Sequence, residues 1–139
     1  MSLEITQKER EGIAILVLVG RITAGEEVSK FRAELEKALQ TQEPKLILNL
    51  KAVDYIDSTG LGALVMCSTA IRKAGGAVRL VHLNRRNMEL LVMTKIDTIF
   101  EAFDDETEAV NSFFPGRAVK RFDILSFVKG TGEKGTEDE

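Results

Sequence analysis

Residues 13–19 form an uninterrupted apolar run, Ile-Ala-Ile-Leu-Val-Leu-Val. A run rich in β-branched residues, without alternating polar positions, indicates a strand that is covered on both faces. Residues 46–50 form a second short core strand, and a segment of helical periodicity separates the two runs. Two core strands joined through a helix predict an α/β protein whose sheet is mixed and mostly parallel.

The remaining pattern adds a hairpin at the N-terminus and further helices. Residues 3–8 alternate apolar and polar side chains, as a half-buried strand does, and a turn at residues 9–12 joins them to the first core strand. Predicted strands cover residues 3–8, 13–19, 46–50, 77–83 and 98–103. Predicted helices cover residues 27–40, 58–73, 85–95 and 106–114, the last two capped by Asn84 and Asp105. We therefore predict a sheet with an N-terminal β-hairpin and about four helices.

Pro115 and Gly116 mark the predicted end of the compact domain. The length of 139 residues suits one domain with a buried core, and we assign residues 1–115 to it. Residues 116–139 form a C-terminal extension that is apolar over residues 118–128 and then polar and charged. We expect the polar end to be disordered. Three roles stay open for the apolar part: docking on the domain, contact with a second copy, or contact with a partner.

Charge and cysteine content exclude several classes of function. A formal net charge of −3 argues against a nucleic-acid-binding protein, which needs a basic surface. The single cysteine rules out an internal disulfide and a cysteine-rich zinc site. No apolar run reaches the roughly 20 residues that span a bilayer, and the N-terminus lacks the layout of a signal peptide. We therefore expect a cytoplasmic protein that does not enter the membrane.

Three arrangements for catalysis or ligand binding fail on the residues present. A serine-hydrolase elbow needs glycine two residues before the serine, where Ser58 has Ile56, and the chain has a single histidine. Gly60 and Gly62 begin a dinucleotide fingerprint, but Val65 stands at its third position, and close helix-to-sheet packing explains the glycines better. A receiver-type aspartate needs acidic Mg²⁺ ligands at the end of the first core strand, where the chain has none. We expect no enzyme activity, cofactor or metal.

Ser58 and Thr59 stand at the predicted start of a helix, after the second core strand. Ligands and partners of open α/β sheets bind at this end of the strands. Serine is a favoured N-cap, so the residues alone favour Ser58 as the cap of the helix. The free N–H groups and the dipole of a helix start also accommodate a phosphate, so a phosphorylation site stays open.

Residues 53–64, Val-Asp-Tyr-Ile-Asp-Ser-Thr-Gly-Leu-Gly-Ala-Leu, resemble the signature of STAS domains, in particular of the bacterial anti-sigma factor antagonists. The resemblance implies that the unphosphorylated protein binds an anti-sigma factor that is also a serine kinase, and so frees a sigma factor for transcription. It further implies that this kinase phosphorylates Ser58, with Thr59 the less favoured acceptor. A PP2C-type phosphatase would restore the binding form.

The resemblance also assigns a switch loop around the serine. Asp57 would help shape the acceptor loop, and Gly60 would let the helix start close to the partner. Asp54 and Thr59 would belong to the same switch loop and partner-binding surface. Thr23 stands in a loop near the serine, at a position where the family commonly has aspartate, which leaves the identity of the partner open. The C-terminal extension is a candidate contact for a homodimer.

Two other functions stay open. One is a STAS scaffold or complex subunit that does not switch, as in stressosomes and lipid-transport assemblies. The other is a small-ligand or nucleotide-binding module that uses the helix start at Gly60 and Gly62.

Overall fold

The structure is a computed structural model that describes residues 2–130, and these contain a five-stranded sheet. The strands lie in sequence order across it: β1 (Leu3–Arg10), β2 (Ile13–Ile22), β3 (Lys45–Ile56), β4 (Ala77–Val81) and β5 (Glu101–Phe103). β1 and β2 form an antiparallel hairpin, and all later neighbours pair in parallel. The predicted mixed, mostly parallel sheet with an N-terminal hairpin is confirmed.

The helices lie on both faces of the sheet. They are α1 (Glu26–Ala38), α2 (Ser58–Lys73), α3 (Arg85–Met93), α4 (Glu106–Asn111) and α5 (Ile124–Lys129). The first three cover one face and bury the larger apolar cluster, which includes Phe31, Leu64 and Leu91. α4 covers the other face, over a smaller cluster that includes Ile47 and Phe103. The four predicted helices are present, and α5 is an addition that the sequence pattern did not predict.

β3 departs most from its predicted boundaries. The prediction ended this strand at residue 50, whereas the observed strand continues to Ile56. It does so because its pairing with β2 resumes after two register shifts and continues as far as Ile22 opposite Ile56. Asp54, predicted to lie in a loop, is therefore part of the strand. Because β3 is longer than predicted, α2 starts beside the loop that follows β2.

The apolar part of the C-terminal extension docks on the domain. The backbone N–H of Phe122 donates to the carbonyl of Ala102 in β5 at 2.8 Å, and Ile124 is buried in the larger cluster. The ring of Phe127 lies 5.5 Å from that of Phe122, measured between centroids. Of the three roles left open for this segment, the described contacts favour docking. The expected disorder of the polar end falls on residues 131–139, which lie outside the described residues.

Candidate functional site

The site lies where the ends of β2 and β3 meet the start of α2. The backbone N–H of Asp57 donates to the carbonyl of Ile22 at 3.3 Å, which joins the two strand ends. The backbone N–H of Val28 donates to the carbonyl of Thr23 at 3.1 Å and closes the loop after β2 onto α1. The two segments after these strands therefore form one surface at the carboxyl edge of the sheet, where open α/β sheets bind ligands and partners.

Asp57 is the N-cap of α2 and also holds the neighbouring loop. Its Oδ1 accepts the backbone N–H of Gly60 at 2.8 Å, and its Oδ2 accepts the backbone N–H of Ala24 at 3.0 Å. Both hydrogen bonds lower the pKa of Asp57 from its ordinary value, because they stabilise the ionised carboxylate; the bond from Ala24 has the larger effect and the bond from Gly60 the second largest. One ionised carboxylate thus fixes the position of α2 relative to residues 23–25.

The prediction that Ser58 caps α2 is wrong. Ser58 is the first helical residue, and Asp57 before it takes the capping role. Aspartate caps as well as serine does, and its charge also suits the positive end of the helix dipole. The Ser58 hydroxyl forms no hydrogen bond with another described residue, and the side chains of Ser58 and Thr59 are exposed. The two hydroxyls are therefore accessible from solvent.

The two glycines of the signature have different environments. Gly60 is buried, and a Cβ atom there would overlap the carbonyl oxygen of Ile22, so only glycine lets α2 start this close to β2. Gly62 is exposed, and a Cβ atom there would meet no atom of residues 2–130 within 4 Å. The explanation of both glycines by helix-to-sheet packing is therefore right for Gly60 and wrong for Gly62.

The structure brings the other predicted switch residues together only in part. Thr23 is half-buried in the loop that Asp57 holds, although the contact is made through the backbone of Ala24. Asp54 is exposed on β3, and its carboxylate forms no hydrogen bond with another described residue. The role of Ala24 has no signal in the sequence, because any residue can supply a backbone N–H group.

A groove of about 390 Å³ lies beside Ser58, between the start of α2 and α3. Its lining includes Tyr55, Ser58, Leu61, Arg86, Leu90 and Met93. The side chains of Tyr55 and Met93 are 43% and 76% exposed, which makes the groove an apolar surface open to solvent. The sequence analysis did not predict that residues of α3, among them Leu90 and Met93, form one side of this groove. The signal was present, since Leu90 and Met93 are apolar yet lie off the stripe formed by Met88 and Leu91.

The described residues show no reactive cysteine, no cluster that could bind a metal ion and no helix that could span a membrane. Burial raises the pKa of the Cys67 thiol to about 12, so this side chain is a core residue rather than a nucleophile. Residues 2–130 hold no group of three or more His, Cys, Asp or Glu side chains that could bind a metal ion. Over the same residues, every helix is too short or too polar to cross a membrane.

Comparisons with known proteins agree on one family. The model of the STAS domain family matches residues 4–109. An anti-sigma F factor antagonist of Paenibacillus polymyxa is 26% identical over 111 residues, covering 79% of this chain and 94% of that protein. A solved Thermotoga maritima structure, described as that of a candidate anti-sigma factor antagonist, is 27% identical with a TM-score of 0.72, covering 78% of this chain and 92% of the other.

A more distant structure shares the fold. The Bacillus cell fate determinant SpoIIAA in its phosphorylated form has a TM-score of 0.62 at 16% identity, covering 80% of this chain and 100% of the other. At this identity the likeness concerns the fold alone.

Proposed function

Because the chain belongs to the STAS domain family, we propose that it is an anti-sigma factor antagonist whose binding is switched off by phosphorylation of Ser58. The unphosphorylated protein binds an anti-sigma factor that is also a serine kinase, and the sigma factor is released for transcription. The kinase then transfers the γ-phosphoryl group of ATP to Oγ of Ser58, leaving ADP, and the complex separates. A PP2C-type phosphatase hydrolyses the phosphoserine. The protein is a kinase substrate and a binding partner rather than an enzyme.

The observation that carries this proposal is the free hydroxyl of Ser58. Capping by Asp57 leaves Oγ of Ser58 without a structural role, so a kinase can reach it while α2 stays folded. The helix is 16 residues long, and its dipole favours negative charge at this end. A phosphate on Ser58 is therefore tolerated by the domain itself.

The effect of that phosphate falls on the partner. It adds a charge of about −1.5 to −2 to a surface that already carries the carboxylate of Asp57. A partner that covers Ser58 would have to desolvate this charge and lie close to it, which disfavours the complex. Relatives support the partner class, since the Paenibacillus protein is named for its antagonism of an anti-sigma factor. SpoIIAA, which shares the fold, has been solved in a phosphorylated form.

The experiment is a kinase screen on the full chain. Anti-sigma factor serine kinases of the source organism are purified and incubated with ATP and this protein, and phosphosites are mapped by mass spectrometry. We expect one kinase to modify Ser58, no modification of Ser58→Ala, and unchanged modification of Thr59→Ala. Ser58→Asp should keep its far-UV circular dichroism spectrum and bind that kinase about 100-fold more weakly or worse, because an unpaired charge buried at an interface costs several kcal/mol.

Each contrary result points to another function. Stable oligomers together with no phosphorylation by any kinase would support the scaffold function. A heat of binding with ATP, GTP or NAD alone, in isothermal titration calorimetry, would support a nucleotide-binding module. Binding of Ser58→Asp at wild-type affinity would contradict the switch.

A further inference from the structure

Gly62 is a helical glycine that the described fold does not need. It is the fifth residue of α2, it is exposed, and a Cβ atom at this position would meet no described atom within 4 Å. Glycine inside a helix destabilises it relative to alanine, because the freer backbone loses more entropy on folding. Alanine at this position would therefore stabilise the helix, and no contact among residues 2–130 requires glycine here.

The position of Gly62 links it to the phosphorylation site. Residues four apart on a helix lie on the same face, so Gly62 stands one turn beyond Ser58. Met66 continues this face by another turn, and its side chain is 57% exposed. A position without a side chain between Ser58 and Met66 lets atoms of another molecule touch the backbone of α2.

The groove beside Ser58 supplies a second, independent observation. Asn87 lines it and is 1% exposed; its Nδ2 donates to the carbonyl of Val53, while its Oδ1 accepts no hydrogen bond from a described residue. Buried polar atoms in folded proteins are nearly always paired. Arg86, on the same groove, pairs with no acidic side chain in the part of the chain that the structure describes. Within residues 2–130 the groove therefore has one buried acceptor without a donor, and its exposed Arg86 has no ion-pair partner although Asp57 and Glu89 also line the groove.

We infer that the kinase that modifies Ser58 packs directly against the α2 backbone at Gly62 and places an apolar side chain in the groove between α2 and α3. A carboxylate beside that side chain pairs with Arg86. Ser58 belongs to both parts of this surface, because it lines the groove together with Leu61 and shares its helix face with Gly62, one turn further along α2. This inference rests on the proposed function, which supplies the occupant.

The test is the substitution Gly62→Ala, measured for stability and for affinity. The probe is the kinase that modifies Ser58 in the screen above, purified and held with a non-hydrolysable ATP analogue so that binding is measured without transfer. We expect Gly62→Ala to raise the Tm by about 2–4 °C, because alanine is the better helix former. We expect it to raise the Kd about tenfold, because the added methyl group crowds a close-packed contact.

Thr69→Ala is the matched control on the same helix. Thr69 is also exposed, and it lies about three turns from Ser58. Alanine should raise the Tm here as well, since threonine is a poorer helix former, while the Kd for the kinase stays unchanged. Met93→Ala tests the groove itself, and loss of this exposed side chain should raise the Kd about tenfold with little change in Tm.

The outcomes separate this inference from the proposed function. If the wild-type protein is phosphorylated on Ser58 and Gly62→Ala binds the kinase as tightly as wild type, the inference is overturned and the proposed function stands. A lower Tm for Gly62→Ala would show that the glycine has a structural role and would overturn the inference too. If no kinase modifies Ser58 in the wild type, the proposed function fails and takes the inference with it.

Discussion

At the scale of single residues, the site depends on the two oxygens of Asp57. Oδ1 accepts a hydrogen bond from the backbone N–H of Gly60 at the start of α2, and Oδ2 accepts one from the backbone N–H of Ala24 in the loop after β2. The residue that caps the helix is therefore also the residue that joins it to the loop carrying Thr23. Because this carboxylate takes the capping role, the adjacent Ser58 hydroxyl stays free for modification.

The pKa of Asp57 makes the stability of this junction depend on pH. Its pKa is lowered in the folded state, mainly by the hydrogen bond from Ala24, so the carboxylate stabilises the fold at pH values above its unfolded pKa of about 3.9. That contribution is lost as the pH falls through the folded pKa. We expect Asp57→Asn to lower the free energy of unfolding at pH 7 by about 1 kcal/mol, since asparagine cannot accept both hydrogen bonds.

Urea unfolding between pH 2 and pH 7 measures this effect. The wild-type protein should lose stability more steeply below about pH 4 than Asp57→Asn does. Asp54→Asn is the control, because the carboxylate of Asp54 is exposed and forms no hydrogen bond with a described residue, so its profile should follow that of the wild type. Parallel profiles for the wild type and Asp57→Asn would contradict the role assigned to the carboxylate.

At the scale of elements, α5 completes the edge of the sheet. Asp123 caps this helix by accepting the N–H of Ser126 at 3.1 Å, and Phe122 pairs with β5 through its backbone. The guanidinium of Arg85 lies 5.2 Å from the centroid of the Phe127 ring, which ties α5 to α3. The extension therefore protects the β5 edge, a position at which an uncovered strand is open to unwanted pairing.

Two neighbouring side chains of α5 test this docking. Ile124 is buried in the larger cluster, so Ile124→Ala should lower the free energy of unfolding by about 2–4 kcal/mol. The next residue, Leu125, is 40% exposed, and Leu125→Ala should lower it by less than about 1 kcal/mol. Chemical denaturation of both variants measures the difference. Equal and small effects would show that α5 is not held against the domain in solution.

The homodimer predicted through the C-terminal extension stays a prediction. Phe122, Ile124 and Phe127 pack within the domain, so within the described part of the extension the outward face, where Leu125 lies, is what a second copy could contact.

At the scale of the whole molecule, the proposed switch changes a surface and leaves the fold intact. Two separate contacts hold the start of α2 in place. Gly60 packs against the backbone of Ile22 at the end of β2, and the carboxylate of Asp57 accepts a hydrogen bond from Ala24 in the loop after β2. Ser58 itself takes part in neither contact, so a phosphate on its hydroxyl would leave both in place. In the proposed function the signal would therefore be a change in charge on one face rather than a rearrangement of the sheet and helices.

Backbone NMR of the phosphorylated and unphosphorylated protein tests this view of the whole domain. We expect chemical shift changes confined to residues near the site, at about 22–28 and 56–62, with the β5 and α5 resonances unchanged. Mock-treated Ser58→Ala, which cannot be modified there, is the control. Shift changes that reach β5 or α5 would show that phosphorylation acts through the fold instead.

The sequence by itself determined the strand and helix order, the hairpin and the position of Ser58 at a helix start, because these follow from hydrophobic periodicity and local turn chemistry. It could not decide which neighbouring residue caps α2, since serine and aspartate are equally good caps and only the geometry at Ala24 favours Asp57. It could not separate Gly60 from Gly62, because the difference is the distance to Ile22, a residue 38 positions away from Gly60 in the chain. The length of β3 and the docking of α5 also depend on partners distant in sequence. Local interactions determine which segments become strands and helices. Only tertiary packing determines how these elements are arranged around Ser58.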